Sequence, residues 1–376
     1  MTVRYIRVKP LVNLFAPAVR AFGDVAIVGR FTLPANNPPP DPLVAGVPVA
    51  FTDPNEARRR APGELGEAIA LAFGQTPGPT LVYGVAVNSA QPDFAAALRA
   101  VAGLEVQLVM LANTPVTAAA TTAGGPLALL VDHVVSVSNT GGDGQERMGV
   151  AMLTKGSTTV ADVPKALANE RMVYIAHQSD QDVAAAVTGV IAGYEPHISL
   201  LLKPVRINNG SFTAAQIELL NGSENLDAGG PGGQGVNWLT SPSLIPGQGV
   251  FLGEGYTGDP SGKKFIDIVR TVDDVSFRLK AQLIKSIGNL RISRSGLRAL
   301  VAQMEAVLGP LVSAEVLDGF ELVVPLLTLL DKDPATLTAD ELNRIHTANV
   351  QRLVQVLAAV RYAGAIHRIS ITLKFE

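Results

Sequence analysis

Apolar and polar positions alternate without interruption over residues 369–376. Ile369, Ile371, Leu373 and Phe375 fall on one face, and Ser370, Thr372, Lys374 and Glu376 on the other. A period of two is that of a half-buried β-strand. Chain ends fray unless they are tied down, so this strand predicts a sheet partner. The partner is an edge of its own chain or of a neighbouring copy, because strand addition to a sheet edge joins subunits through backbone hydrogen bonds. Pattern alone leaves both open. Val3, Tyr5, Ile6 and Val8 make residues 2–15 a second extended terminal segment, whose pairing Pro10 restricts.

Between the ends the pattern predicts strands over 25–31, 80–87, 105–111, 149–153 and 171–176, with helices over 64–73, 92–101, 126–137, 160–169 and 181–194. Residues 34–48, with Pro38, Pro39 and Pro40 in a row, read as a stiff exposed loop. Strand–helix alternation implies a largely parallel sheet covered on both faces, and the near-continuous apolar strands fit that burial. Beyond residue 205 the texture changes. A short helix over 213–220 leads into a glycine-rich loop over 229–235. Longer helices follow over 272–287, 296–308 and 339–360, with a strand at 320–324. Ser295 is placed to cap the second long helix and Gly309–Pro310 to end it. Thr338 with Glu341 makes a capping box for the third. The expected fold is therefore α/β over 21–205 and α+β over 206–362, between β-arms at 1–20 and 363–376.

Composition narrows the function. In 376 residues, hydrophobic content is 47% and charged content 17%, below the roughly 25% usual for soluble domains. Part of the surface is thus expected to be covered by other protein. Net charge is −3, which gives no overall attraction for nucleic acid. The absence of cysteine excludes disulfides and thiol catalysis. No signal peptide is visible, and no stretch reaches the roughly 18 consecutive apolar residues of a membrane span.

Few motifs survive inspection. Gly230 to Gly235 matches G-x-G-x-x-G, but it lacks the preceding strand and following helix that a dinucleotide cradle needs. Ser261-Gly262-Lys263-Lys264 resembles a P-loop only superficially, since the spacing fails and the magnesium hydroxyl is missing. The histidines His133, His177, His197, His346 and His367 show no metal-ligand spacing. His177 falls at the C-terminal end of a parallel strand, where α/β enzymes place catalytic groups, beside Ser179 and Asp180. Either of those two is equally placed to cap the next helix. An α/β enzyme with a site near His177 is the rival reading.

One charge feature stands out. Residues 261–300 hold Lys263, Lys264, Arg270, Arg278, Lys280, Lys285, Arg291, Arg294 and Arg298 against Asp267, Asp273 and Asp274, a local +6 from nine minus three. On the helix over 272–287, Val275, Leu279, Leu283 and Ile287 would form an apolar stripe, with Arg278, Lys280 and Lys285 off it. That is a solvated face or a docking face for an acidic protein.

Four stretches carry a resemblance. They are 265–274, from Phe265 through Asp267 and Arg270 to Asp274; 362–367, from Tyr362 to His367, with the terminal strand; 212–222, opening on Phe212 and Thr213; and the helix and strand of 64–87. Their order is similar to that of contractile tail sheath proteins of myophages and related contractile injection systems, with 265–271 matching a strand that enters the first long helix. Residues 100–200 match little. The resemblance implies stacked hexameric rings around an inner tail tube, a conserved inner domain built from the α+β half, and a variable outer α/β domain. It implies terminal arms that add strands to neighbouring subunits, through Val3, Tyr5, Ile6 and Val8 at one end and Ile369, Ile371, Leu373 and Phe375 at the other. Arg278, Lys280 and Lys285 would face the tube. The implied partners are further copies of the chain, the tube protein, and baseplate and tail-terminator proteins. No cofactor, catalytic residue, direct nucleic-acid contact or membrane insertion is implied. The implied place is a virion tail assembled in the host cytoplasm, or an injection device assembled in a bacterial one, contracting from a metastable lattice. The proline loop has no counterpart in that pattern.

Overall fold

The computed structural model describes residues 22–33, 39, 41–139, 144–226, 230, 232–245 and 249–368. Both terminal strands expected from the sequence, residues 3–8 and 369–375, lie outside the described residues, as does most of the triple-proline stretch. The chain divides into two compact units, residues 275–363 forming the smaller one, while 22–274 and 364–368 belong to the larger.

The larger unit begins with β1 (Val25–Arg30), β2 (Pro48–Phe51), α1 (Pro54–Arg60), α2 (Glu64–Phe73), β3 (Val82–Val87), α3 (Phe94–Ala102) and β4 (Leu108–Pro115). It continues with α4 (Ala118–Thr121), α5 (Pro126–Asn139), β5 (Met148–Met152), β6 (Met172–Ala176) and α6 (Val183–Gly193). It closes with β7 (Pro204–Val205), α7 (Ala214–Asn221), β8 (Asn237–Thr240), β9 (Val250–Leu252) and the start of α8 (Ile266–Leu283). Among the described residues the strands form one sheet of nine in the order β2-β3-β1-β4-β5-β6-β8-β9-β7. Its body from β3 to β8 is parallel; β2 at one edge pairs antiparallel with β3, and at the other end β9 pairs antiparallel with both β8 and the edge strand β7.

Alternate residues of each central strand enter two different cores. Val25 and Ile27 of β1 and Leu108 and Met110 of β4 pack with Leu65 and Ile69 of α2 and Val187 of α6. Ala26, Val28, Val109 and Leu111 pack with Leu98 of α3 and Leu127 and Leu130 of α5. Burial on both faces explains why these strands read as unbroken apolar runs. Residues 118–139 are apolar and long enough to cross a membrane by composition alone, yet α5 buries Leu127, Leu130, Val131 and Val134 in the second core. Helices α2 and α6 approach so closely that a Cβ on Gly189 would lie 2.4 Å from the Ala72 carbonyl oxygen. The Arg147 guanidinium is fully buried and donates to the Val101 and Leu104 carbonyls at 3.0 Å each, closing the end of α3. Burial first, and then the charge of Arg147, lower the pKa of His133 to about 4.

Several sequence expectations change. The break expected at residue 205 is no break in the fold, because β7, β8 and β9 extend the same sheet and the larger unit runs on to Asp274. Residues 160–169 form two 3-10 turns, Val160–Asp162 and Lys165–Leu167, separated by Pro164. Proline disfavours helical geometry in the residue before it, which is enough to break a short helix. The strand expected before the first long helix is itself helical from Ile266, leaving a single bridge between Tyr256 and Phe265. Asp93 and Asp182, rather than Pro92, Ser179 or Asp180, begin α3 and α6, each accepting from the third amide after it.

The smaller unit holds the second half of α8, then α9 (Arg294–Ser313), β10 (Leu317–Val323), α10 (Pro325–Asp331), α11 (Ala339–Gln351) and β11 (Leu357–Tyr362). Ser293, not Ser295, caps α9, and the helix runs through Pro310. The Thr338–Glu341 capping box forms as expected, but α11 stops nine residues short of 360, with Arg352 in the left-handed conformation. The chain then returns as β11, antiparallel to β10 with Val323 opposite Leu357 and Phe320 opposite Val360. Val275, Leu308, Leu311 and Leu317 form one small core. Leu297, Val324 and Leu326, with Ile345 and Ala348 of α11, form another.

Candidate functional site: the roots of the chain ends

Glu254 sits in a turn between Gly253 and Gly255, just after β9, and its side chain is only 1% exposed. Both of its oxygens are taken by residues at the start of the C-terminal segment. His367 Nδ1 lies 2.9 Å from Oε2, and Arg368 Nη2 lies 2.9 Å from Oε1. On the far side of the imidazole, Nε2 is 2.9 Å from Ser199 Oγ. The ring meets Phe265 edge-on, with centroids 4.8 Å apart. A carboxylate this buried is tolerated only when paired and hydrogen-bonded. Its charge acts on its surroundings: burial first, then Glu254, push the Tyr256 phenol up to about 12.

The other chain end is held close by in sequence terms. Arg270, one turn beyond Ile266 on α8, is 6% exposed. Its Nη2 donates to the Phe22 carbonyl at 3.1 Å and to the Tyr194 carbonyl, at the end of α6, at 2.9 Å. Burial lowers its pKa to about 10, against the pull of Asp274, Asp267 and Asp273. Phe22 is where the described chain begins, and His367–Arg368 is where it ends. Both roots are thus fixed by buried ionic side chains at, or against, the first turns of α8.

Sequence reasoning missed Glu254 and Ser199, and it counted Arg270 only as part of a charged run. Glu254 has no local partner: His367 lies 113 residues on. The available signal was an acid alone between two glycines in an apolar stretch, together with a His-Arg pair directly before the terminal strand.

The basic run is partly neutralised from outside itself. Lys263 pairs with Glu170 at 3.0 Å and Arg298 with Asp331 at 3.1 Å, while Arg171 from outside the run takes up one of its acids, Asp273. Lys264 donates to the Gly232 carbonyl, and Arg294 to that of Leu330. Arg278 and Lys280 are half-buried on α8, and Lys285 is exposed in the following 3-10 turn. Of the expected stripe, Val275 and Leu279 pack in the smaller unit's core, while Ile287 is 77% exposed beyond the helix.

His177 is a structural residue. It is 3% exposed, its Nδ1 accepts from the Ser179 amide at 3.2 Å, and its Nε2 faces the Leu153 carbonyl at 2.9 Å. Those contacts fix the neutral tautomer with the proton on Nε2, and burial lowers its pKa. Neither ring nitrogen is free for a substrate, so the geometry gives no support to the rival enzyme reading.

In the smaller unit, every residue of β11 from Leu357 to Arg361 is exposed. Leu357 is 63% and Val360 37% exposed. An open groove of about 800 Å³ runs between α10 and α11, lined by Leu326, Leu329, Lys332, Arg344, Ala348 and Leu353 among others.

The sequence matches no protein-family model and no curated protein. The fold is shared over the whole chain with solved structures. The anti-feeding prophage (AFP) helical sheath in its contracted state is similar with TM-score 0.64 and 15% identity, covering 100% of this chain and 99% of that one. The AFP baseplate, 6-fold symmetrised, gives TM-score 0.64 and 14% identity at the same coverage. The sheath complex of an extracellular contractile injection system (PVC), contracted, gives TM-score 0.62 and 12% identity, again covering 100% and 99%.

Proposed function

We propose that this chain is the structural subunit of a contractile sheath, which polymerises with itself as stacked hexameric rings around an inner tube and contracts to drive that tube through a target envelope. The observation that carries the reading is the full-length likeness of fold to sheath chains, two of them in contracted assemblies. The exposed β11 supports it: among the described residues it pairs with β10 alone, and an apolar strand with an open edge is a template for strands from other copies. In this reading Ile369, Ile371, Leu373 and Phe375 of one copy, and Val3, Tyr5, Ile6 and Val8 of another, complete that sheet. The smaller unit is the inner domain. Arg278, Lys280 and Lys285 face an acidic tube, with a bond weak enough to break on contraction. Baseplate and tail-terminator proteins cap the polymer. The work is mechanical: contraction releases free energy by enlarging contact between subunits, while backbone hydrogen bonds keep the mesh joined.

The test is deletion of residues 369–376. The purified full chain is expected to form rings or tubes by negative-stain microscopy. The shortened chain is expected to remain a folded monomer that forms neither. Normal tubes from the shortened chain would sink strand exchange.

A further inference from the structure

The geometry points to Glu254 as a positioning residue that fastens the root of the C-terminal arm to the larger unit, so that a pull on the arm reaches α8 and the nine-stranded sheet without passing through β11. The inference rests on the sheath reading and adds the path along which force travels.

The path follows from where the chain is held. The smaller unit's last backbone hydrogen bond to this segment is from the Ala363 amide to the Val316 carbonyl, at 3.3 Å. Gly364, Ala365 and Ile366 follow, all exposed, Ile366 at 79%. Then His367 and Arg368 close on Glu254 at 2.9 Å each. A segment pulled from residue 369 onward therefore loads the Glu254 clamp before the three exposed residues tighten. Without the clamp, the same pull would act on the end of β11. Among the described residues that strand has one neighbour, and it has no buried residue, so it would peel from β10 one hydrogen bond at a time.

The clamp also suits a joint that must survive rearrangement. The His367 ring is gripped on three sides, by Glu254, Ser199 and the edge of Phe265. Glu254 itself is anchored in backbone continuous with β9 and, through the Ile266 amide to Gly255 carbonyl bond at 2.9 Å, with the first turn of α8. Arg270 on the same helix holds Phe22. Tension entering through Phe22, or through His367 and Arg368, is thus delivered to the start of α8.

The test uses the full chain with Glu254→Gln, which keeps the shape and removes the charge, and Arg368→Gln, which acts from the less buried partner. Trypsin cleavage after Arg368, followed by mass spectrometry, reads the clamp directly. In Glu254→Gln this bond is expected to be cut at least about tenfold faster, with cleavage after Arg270 unchanged. General loosening would accelerate both. Assembly is read by microscopy and sedimentation. Each single variant is expected to raise the concentration needed for tubes by about tenfold or more, and the double variant to add little beyond either single one, as expected of residues that act as a pair. If Glu254→Gln fails to fold, the Arg368→Gln assembly result still decides. Tubes at wild-type concentration from Arg368→Gln, or unchanged cleavage in a folded Glu254→Gln, would overturn the inference. Loss of tubes on deleting 369–376 alongside normal tubes in both point variants would leave strand exchange standing and remove only the clamp.

Discussion

β1 and β11 are both strands of six residues, both rich in apolar side chains, and they live in opposite surroundings. β1 is flanked by β3 and β4, has helices over both faces, and buries its first five residues completely or nearly so. Among the described residues β11 pairs with β10 alone, and its first five residues are exposed. The contrast extends beyond the strands: no residue from 339 to 362 is buried. The larger unit completes its core within one copy. The smaller unit presents the strand β11 and the helix α11 to solvent. Among the described residues, what separates the two strands is the number of neighbours, two for β1 and one for β11.

The widest gap should appear when matched side chains are removed. Ile27→Ala in β1 deletes fully buried atoms and is expected to cost about 2–5 kcal/mol. Val360→Ala in β11 is expected to stay within about 0.5 kcal/mol. Urea unfolding of the monomeric chain measures both. In assembly the ranking should invert, with Val360→Ala raising the concentration required for tubes. Equal costs in the monomer would mean that β11 is already packed and that the contrast is false.

Hydrogen exchange sharpens the same comparison without mutation. Amides of β1 should exchange only with opening of the whole sheet, and paired amides of β11 about a hundredfold faster or more in the free subunit. Polymerisation should slow β11 selectively. Slow exchange in the isolated subunit would remove the argument that this strand awaits a partner.

The larger unit also carries two titratable groups shifted by burial, and they work against each other. Burial first, and then the nearby Glu64, raise the pKa of Asp182 to about 6, although it accepts hydrogen bonds from the Asn113 and Ala185 amides. A raised carboxyl pKa favours the fold below the unfolded value near 3.8, and that contribution is lost as pH rises through 6. His133 has the opposite sign: its pKa near 4 means that stability present above 6.5 is lost as pH falls toward 4. Between pH 6.5 and 4 the two nearly cancel. Asp182→Asn keeps a capping side chain and removes one side of the balance. It should be more stable than wild type at pH 7.5, on the order of 1 kcal/mol, and lose that advantage by pH 4. Parallel pH profiles for the two proteins would show that Asp182 is not strained by its burial.

Local pattern carried the elements whose signals are local. α2 runs over the predicted 64–73, and the capping box Thr338–Glu341 forms where short-range chemistry places it. Expectations failed where distant packing or a single stereochemical fact decided. Pro164 broke a helix that hydrophobic periodicity favoured, whereas Pro310 did not end α9, which buries Leu308 and Leu311 on either side of it. Residues 357–360 read as the end of the helix expected over 339–360, and became a strand because β10 offers an edge, with Phe320 opposite Val360. The site was the least legible part. Glu254, Ser199 and His367 are brought together only by the fold, and no spacing rule links an acid to partners 113 residues away.

The smallest effect tests how α11 persists with no buried residue at all. Thr338 accepts from the Glu341 amide, Glu341 accepts from the Thr338 amide at 2.9 Å, and Lys332 reaches the same carboxylate at 2.5 Å. Lys332 first, then the Thr338 amide, lower the pKa of Glu341 to about 2. The depressed value means the box is intact above about 4.5 and is lost as pH falls toward 2. Thr338→Ala should cost about 1 kcal/mol. That is little for the larger unit but a large share of what holds this helix, since packing contributes so little along 339–351. Circular dichroism of the monomer should therefore show a small helical loss confined to this variant, and assembly should restore it as neighbouring subunits cover the helix. An effect of the same size in tubes as in monomers would mean that α11 stays uncovered in the polymer, and that β11 alone forms the contact.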